Sequence, residues 1–312
     1  MYYMENNLYP IKFAPIVKPK IWGGESWMIS GVEGDISVVE NGFLAGNTLD
    51  ELLEVYMGDL VGDSVYEKFG NEFPLLIKFI NADDRLSVQV HPDDALAAER
   101  HDSFGKTEMW YVLDCKPGAE LVNGFRREIS KEEYLDALNS GRVMDILNCV
   151  KVKRGDVFFI PSGRVHAIGA GNYIAEIQQT SDSTYRIWDY NRPGLDGKPR
   201  PLHTELAKDA LDYKVCDSYK TPYEARKDAE VPLVSCRYFT TSVLELSEPF
   251  SKDLRGLDSF LIVMCLEGGG MLRSGGEEAR ICADECILVP ASAEGIEFIP
   301  DAGGIKVLLS HA

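Results

Sequence analysis

Positive charge is scarce in this sequence: 32 Lys and Arg stand against 50 Asp and Glu, a formal net charge of −18. A phosphate backbone needs clustered cations, so nucleic acid is not an expected partner. A few local Lys or Arg could still hold a small anionic metabolite. Long hydrophobic runs are missing too. No apolar stretch approaches the roughly 20 residues that span a bilayer, and the opening MYYMENNLYP has neither the basic stretch nor the apolar run of a signal peptide. These absences predict a cytoplasmic chain with no membrane partner. Cysteine is sparse and odd in number, with Cys115, Cys149, Cys216, Cys236, Cys265, Cys282 and Cys286 set mostly inside apolar runs. That pattern predicts buried free thiols and no disulfide framework. Histidine is scarce as well, with five in all and none between His203 and His311.

What is present is a chain of 312 residues, 45% hydrophobic, long enough to bury one large or two moderate cores. Short strand-like runs dominate, among them FPLLIKFI, LSVQVH, EMWYVLD, DVFFIPS, YIAEIQQT, SFLIVMCL and IKVLLSH, separated by Gly, Pro and Asp turns. This spacing predicts a mainly β fold of barrel or sandwich type. Two helical stretches interrupt the strands: PDDALAAER, and SKEEYLDALNSGRVMDIL, where Ser130 and Glu133 have capping-box spacing and Leu135, Leu138, Val143 and Ile146 form a packing stripe. EGGGMLRSGG reads as a hairpin. Between about 190 and 232 the composition turns to Pro, Gly, Lys and Asp, which predicts a connection between two β units. A weak repeat supports two units. GDVFFIPSGRVHAI lines up with DECILVPASAEGIEF, and Gly295 takes the position of His166, so the second unit lacks imidazoles for a matching site.

LSVQVHPDD concentrates the chemistry. Strand alternation sends Ser87, Gln89 and His91 to one face and Leu86, Val88 and Val90 to the other. In GKTEMWYVL, Lys106, Glu108 and Trp110 share a face, and His166 follows a Pro-Ser-Gly turn. Gln89, His91, Glu108 and His166 are the candidate ligand set. Two imidazoles, a carboxylate and a carbonyl oxygen suit Zn²⁺ in a catalytic role with a coordination position left open.

GDVFFIPSGRVHAI matches the second cupin motif, and QVH with the later KTE resembles the first, with Gln in place of its first His. FPLLIKFINADDRLSVQVHPDD, GKTEMWYVLD, IPSGRVHAIGAG and EIQQTSDSTYRIWDYNR, together with PIVKPKIWGG, resemble type I mannose-6-phosphate isomerase in its short bacterial form. The resemblance implies two cupin-type jelly-roll β-barrels, with a catalytic domain over residues 1–225 and a degenerate domain over 226–312. It implies a zinc enzyme that interconverts mannose 6-phosphate and fructose 6-phosphate through a cis-enediol, with one Zn²⁺ per chain on Gln89, His91, Glu108 and His166. It also implies catalytic positions at Arg186, Glu176 and Lys106, with Lys78 and Ser87 near the substrate phosphate.

For the proton transfer, a zinc-bound water, Glu176 and Lys106 all stand as candidates. Each residue also has a plainer reading: Arg186 paired with Asp182 or Asp189, Glu176 with Arg164 or Arg186, and Lys78 as a snorkelling strand lysine. Two other functions compete, a noncatalytic sugar-phosphate-binding cupin regulator and a metal-dependent cupin oxygenase. The sequence sets no oligomeric state.

Overall fold

The computed structural model describes residues 8–312. The fold is mainly β, and the chain divides into two compact units. One comprises Val17–Trp27 and Ile77–Thr221. The other comprises the described residues up to Ile16, then Met28–Leu76 and Pro222–Ala312.

The first unit is built on two sheets. A six-stranded sheet runs Ile16–Lys20, Gly23–Ile29, Leu75–Ala82, Asn172–Gln179, Glu108–Cys115, Val157–Ile160. A five-stranded sheet runs Tyr185–Trp188, Val88–Val90, His166–Ile168, Glu120–Phe125, Leu147–Lys151. Strand alternation sorts the side chains of the smaller sheet. Leu121 and Ile168 turn inward and share a core with Trp110, Val112, Phe158, Ile160 and Ile174 of the larger sheet. Val88, Val90, Val122, Ala167, Tyr185 and Ile187 turn outward beneath helices Lys131–Asn139, Val143–Ile146 and Thr204–Ala210. Gln89 and His166 alternate with that outward set, so they face inward. The jelly-roll character is present as open sheets packed on one core. The hydrogen-bonded ladders do not close into the cylinders that a barrel implies, because apolar packing between the sheets replaces a closing strand pair.

In the second unit, strand Gly295–His311 pairs with Thr240–Leu246, Phe250–Asp253 and Leu261–Ser274. Its core includes Leu244, Val263, Leu272, Ile281, Ile287, Phe298 and Val307. The repeat seen in the sequence is structural. Strands Val157–Ile160 and Cys286–Val289 each end at a proline, and His166 and Gly295 each open the following strand. The hairpin is also found, as strands Leu261–Ser274 and Glu277–Cys282 joined by Gly275 and Gly276.

The helices depart from the sequence expectation in two ways. The 130–146 stretch is two helices, divided where Gly141 takes φ +70°, a left-handed stop. The capping box itself forms, with Glu133 N donating to Ser130 Oγ at 3.1 Å and Ser130 N donating to Glu133 Oε2 at 3.0 Å. Helices Leu49–Val61, Asp63–Phe69 and Thr204–Ala210 were not anticipated. Glycines and a break at Met57 (φ +46°) obscure the helical period of the first two, although Thr48 and Glu51 carry a capping-box spacing. All seven cysteines are free, but Cys149 and Cys216 are exposed, contrary to the expectation of burial. No helix among the described residues is long and apolar enough to cross a membrane.

Candidate metal centre

Three strand ends of the first unit deliver the ligand candidates. His91 follows Val88–Val90, Glu108 opens Glu108–Cys115 and His166 opens His166–Ile168. His91 Nε2 lies 3.4 Å from Glu108 Oε2, and His166 Nε2 lies 3.3 Å from Glu108 Oε1. All three residues are about 1% exposed or less, so solvent cannot separate them. Among the described residues they form the one cluster of His, Cys, Asp or Glu whose ligand atoms lie within 4.8 Å of one another.

The far side of each imidazole fixes its tautomer. His91 Nδ1 is 3.0 Å from Ser183 O, and His166 Nδ1 is 2.8 Å from Arg164 O. A carbonyl only accepts, so each Nδ1 carries the proton and each Nε2 turns a lone pair toward Glu108. Burial holds the His91 pKa well below the ordinary value, and the nearby Lys106 lowers it further. Burial lowers that of His166 as well, with Glu108 opposing. Both rings are therefore neutral at neutral pH. His91 Nε2 and both Glu108 oxygens have no hydrogen-bond partner. Buried lone pairs facing one another with no donor between them fit a cation and little else.

Gln89 is the fourth candidate. The register sets it opposite His166 on one side and Arg186 on the other. Its Nε2 is 3.3 Å from His166 Nε2, and its Oε1 accepts from Ser87 Oγ at 3.5 Å. Turning the terminal amide over would present oxygen to the centre, a change that costs no backbone movement. Lys106, 6% exposed, sits with Nζ 3.6 Å from Glu108 Oε2.

Beside this cluster lies a buried ionic network. Lys78 Nζ donates to Gln178 Oε1 at 2.8 Å and stands 3.3 Å from Glu176 Oε1 and 4.0 Å from Glu25 Oε2. Trp110 Nε1 donates to Glu176 Oε2 and Trp27 Nε1 to Glu25 Oε2, each at 2.8 Å. Burial, and next the Glu108 charge, push the Glu176 pKa up against the pull of Lys78. Burial acts the same way on Glu25, but Lys78, Lys20 and Trp27 outweigh it and its pKa is lowered. Lys78 is pushed down by burial and pulled up further by Glu176 and Glu25, so it stays charged. It is enclosed and does not snorkel, and the partner of Glu176 is Lys78 and neither Arg164 nor Arg186. Glu25 and Gln178 escaped the sequence reading. The signal for Glu25 was its i, i+2 relation to Trp27 in WGGESW, which puts a carboxylate and an indole on one strand face.

Arg186 is half-buried on strand Tyr185–Trp188. Its Nη1 donates to Pro201 O at 2.9 Å, and its Nε has no acceptor. Asp189 is engaged by Arg192 at 3.1 Å and Arg200 at 2.7 Å and forms no ion pair with Arg186. His203 secures the backbone, accepting from Arg186 N at 3.1 Å and donating to Arg186 O at 2.7 Å. With strands about 4.8 Å apart, Arg186 stands two strands, roughly 10 Å, from His166 along one row of the sheet.

The family model for phosphomannose isomerase type I, catalytic domain, matches residues 12–122. The chain is 37% identical over 288 residues to mannose-6-phosphate isomerase ManA of Bacillus subtilis, covering 85% of this chain and 88% of that protein. It is 36% identical to the mannose-6-phosphate isomerase of Streptococcus mutans, covering 93% of this chain and 88% of that one. The crystal structure of the mannose 6-phosphate isomerase from Bacillus subtilis superposes with a TM-score of 0.87 at 31% identity, covering 98% of this chain and all of the other. A full-length likeness in both sequence and fold leaves one conclusion: the chain belongs to the type I phosphomannose isomerase family, enzymes of the isomerase class on a cupin-type fold.

Proposed function

We propose that this protein interconverts mannose 6-phosphate and fructose 6-phosphate, using one Zn²⁺ held by Gln89, His91, Glu108 and His166. The observation that carries the metal is the triangle of buried lone pairs at His91, Glu108 and His166. The names of relatives at 37% and 36% identity support the substrate. Nitrogen and oxygen donors in this mixture suit zinc. A bound divalent ion would supply Lewis-acid polarisation of a substrate oxygen.

The chain's own residues do the rest. Aldose–ketose isomerisation carries a proton between C1 and C2 through a cis-enediol. Glu176, whose pKa burial and Glu108 raise, and Lys106, 3.6 Å from Glu108, are the side chains beside the centre able to exchange it. Arg186 has donors to spare for the enediolate or the phosphate. In this reading Ser87 and Lys78 serve the phosphate side, Lys78 through the field of a cation shared between Glu176 and Glu25. In this reading catalysis lies within residues 1–225, whose metal-ligand candidates all fall in the unit of Val17–Trp27 and Ile77–Thr221, and residues 226–312, which belong to the other unit together with Met28–Leu76, supply no metal ligand.

The test is a coupled assay for fructose 6-phosphate made from mannose 6-phosphate, on native protein, after chelation, and after Zn²⁺ is restored, with His166→Ala alongside. Turnover lost with the chelator and in the variant, and regained by the native protein with Zn²⁺, is the expected result. A metal-loaded protein without turnover would point to a noncatalytic sugar-phosphate binder.

A further inference from the structure

We propose that Asn123 is a substrate-binding residue, its side-chain amide donating a hydrogen bond to an oxygen of the sugar held at the metal centre. The inference rests on the functional reading above and extends it to a residue that no motif marks.

Strand register carries the first part of the argument. His166 pairs with Gln89 on one side and with Asn123 on the other, and Gln89 pairs in turn with Arg186. Directly opposed residues in antiparallel strands project to the same face. Arg186, Gln89, His166 and Asn123 therefore form one row across four adjacent strands. The neighbours of Asn123 agree, since Leu121 lies in the inner core and Val122 in the outer one.

The hydrogen-bond inventory carries the second part. Asn123 is 0% exposed, yet its Nδ2 has no partner. Its other amide atom is engaged: Oδ1 accepts from Arg164 Nη1 at 3.4 Å. A guanidinium only donates, so this contact settles which amide atom is oxygen and leaves the NH₂ as the unused end. Buried amide donors are almost always satisfied. The neighbouring imidazole does not serve as acceptor, because its Nδ1 is committed to Arg164 O and its Nε2 already lies 3.3 Å from both Gln89 Nε2 and Glu108 Oε1. A sugar hydroxyl or carbonyl oxygen is the chemistry that fits a lone donor beside a metal centre.

The backbone carries the third. The ladder to strand Leu147–Lys151 slips between Val122 and Phe125, and Gly124 takes φ +73° there. A Cβ at Gly124 would meet the Tyr219 ring at 2.4 Å, so only glycine permits this bulge under Tyr219. Bulges re-aim side chains beside active sites. Here the bulge follows directly on Asn123.

Two near-isosteric variants remove the donor, Asn123→Leu and Asn123→Asp, the second keeping an acceptor for Arg164. Each is measured for thermal stability, for metal stoichiometry, and by calorimetry for binding the hexitol 6-phosphate obtained by reducing mannose 6-phosphate, which lacks the carbonyl needed for turnover. We expect wild-type metal content, at least one variant as stable as wild type, and tenfold or greater loss of hexitol phosphate affinity in both. Unchanged affinity in a folded variant overturns the proposal. Loss of metal with sugar affinity unchanged in metal-saturated protein also overturns it, assigning Asn123 to the support of His166. If wild-type protein with full metal binds no hexitol phosphate, the functional reading fails first and takes this one with it.

Discussion

His91 Nε2 stands 3.4 Å from Glu108 Oε2, and neither atom has a hydrogen bond from any group. The proton that could have joined them is on the other side of the ring, given to Ser183 O. Two acceptors held together in a dry site are the physical imprint of a cation. Glu108→Gln should therefore lower metal affinity by about 100-fold or more, comparable with or beyond the cost of losing a supporting partner of a ligand. Metal analysis after gel filtration against a buffered metal series checks this; full occupancy in the variant would contradict it.

The imidazoles make acid stability directional. Both have folded pKa values below the ordinary histidine value. As pH falls past about 6.5, the unfolded chain binds protons that the metal-free folded protein refuses, so stability declines toward the lower folded values. The slope approaches roughly 1.4 kcal/mol per pH unit for each imidazole. We expect the melting temperature of chelated protein to fall from about pH 7 to about pH 5, and to fall less in His91→Gln. Equal slopes in the two proteins would refute buried neutral rings.

The Lys78–Glu176 pair is nearly solvent-free, with side-chain exposures of 6% and 5%. Breaking such a pair from one side costs about 3 kcal/mol when the charge left behind is unpaired, and Glu25, 4.0 Å from Lys78, makes that an upper value here. Glu176→Gln keeps an acceptor for Trp110 Nε1 but should lower stability by an amount of that order, and Lys78→Met in the same chain should recover part of it. Urea denaturation of the two single variants and the double variant gives the coupling. If Glu176 also moves the proton, kcat in Glu176→Gln falls by about 10² to 10⁴ while metal stays bound.

Arg186→Lys keeps the charge and loses the planar fork. Lysine cannot both hold Pro201 O and offer a second donor in a fixed direction. We expect kcat/KM to drop about 10- to 100-fold at unchanged metal content. Steady-state kinetics beside metal analysis tests it, and wild-type kinetics would remove Arg186 from the site.

Much of the site was legible because strand periodicity is rigid. An alternation of two residues puts Gln89 and His91 on one face whatever surrounds them, and a Pro-Ser-Gly turn before His166 marks where a strand restarts. Helices Leu49–Val61 and Asp63–Phe69 were less legible, since glycines and a non-helical Met57 break the period that would announce them. Buried Glu25 was hidden for another reason: a lone carboxylate in a strand reads as solvent-facing until its cation is known.

The alternating faces, the capping box at Ser130 and the residue types fit to bind a metal were readable along the chain, because each depends on neighbours within a few positions. Folding brought the rest together: which lone pairs meet, that Lys78 is shared between Glu176 and Glu25, that Arg186 has no ion-paired acid among the described residues, and that Asn123 sits opposite His166 with a free donor. Those facts depend on pairing between strands distant along the chain. Register between strands is set by packing and bulges across the whole unit, and no local pattern records it.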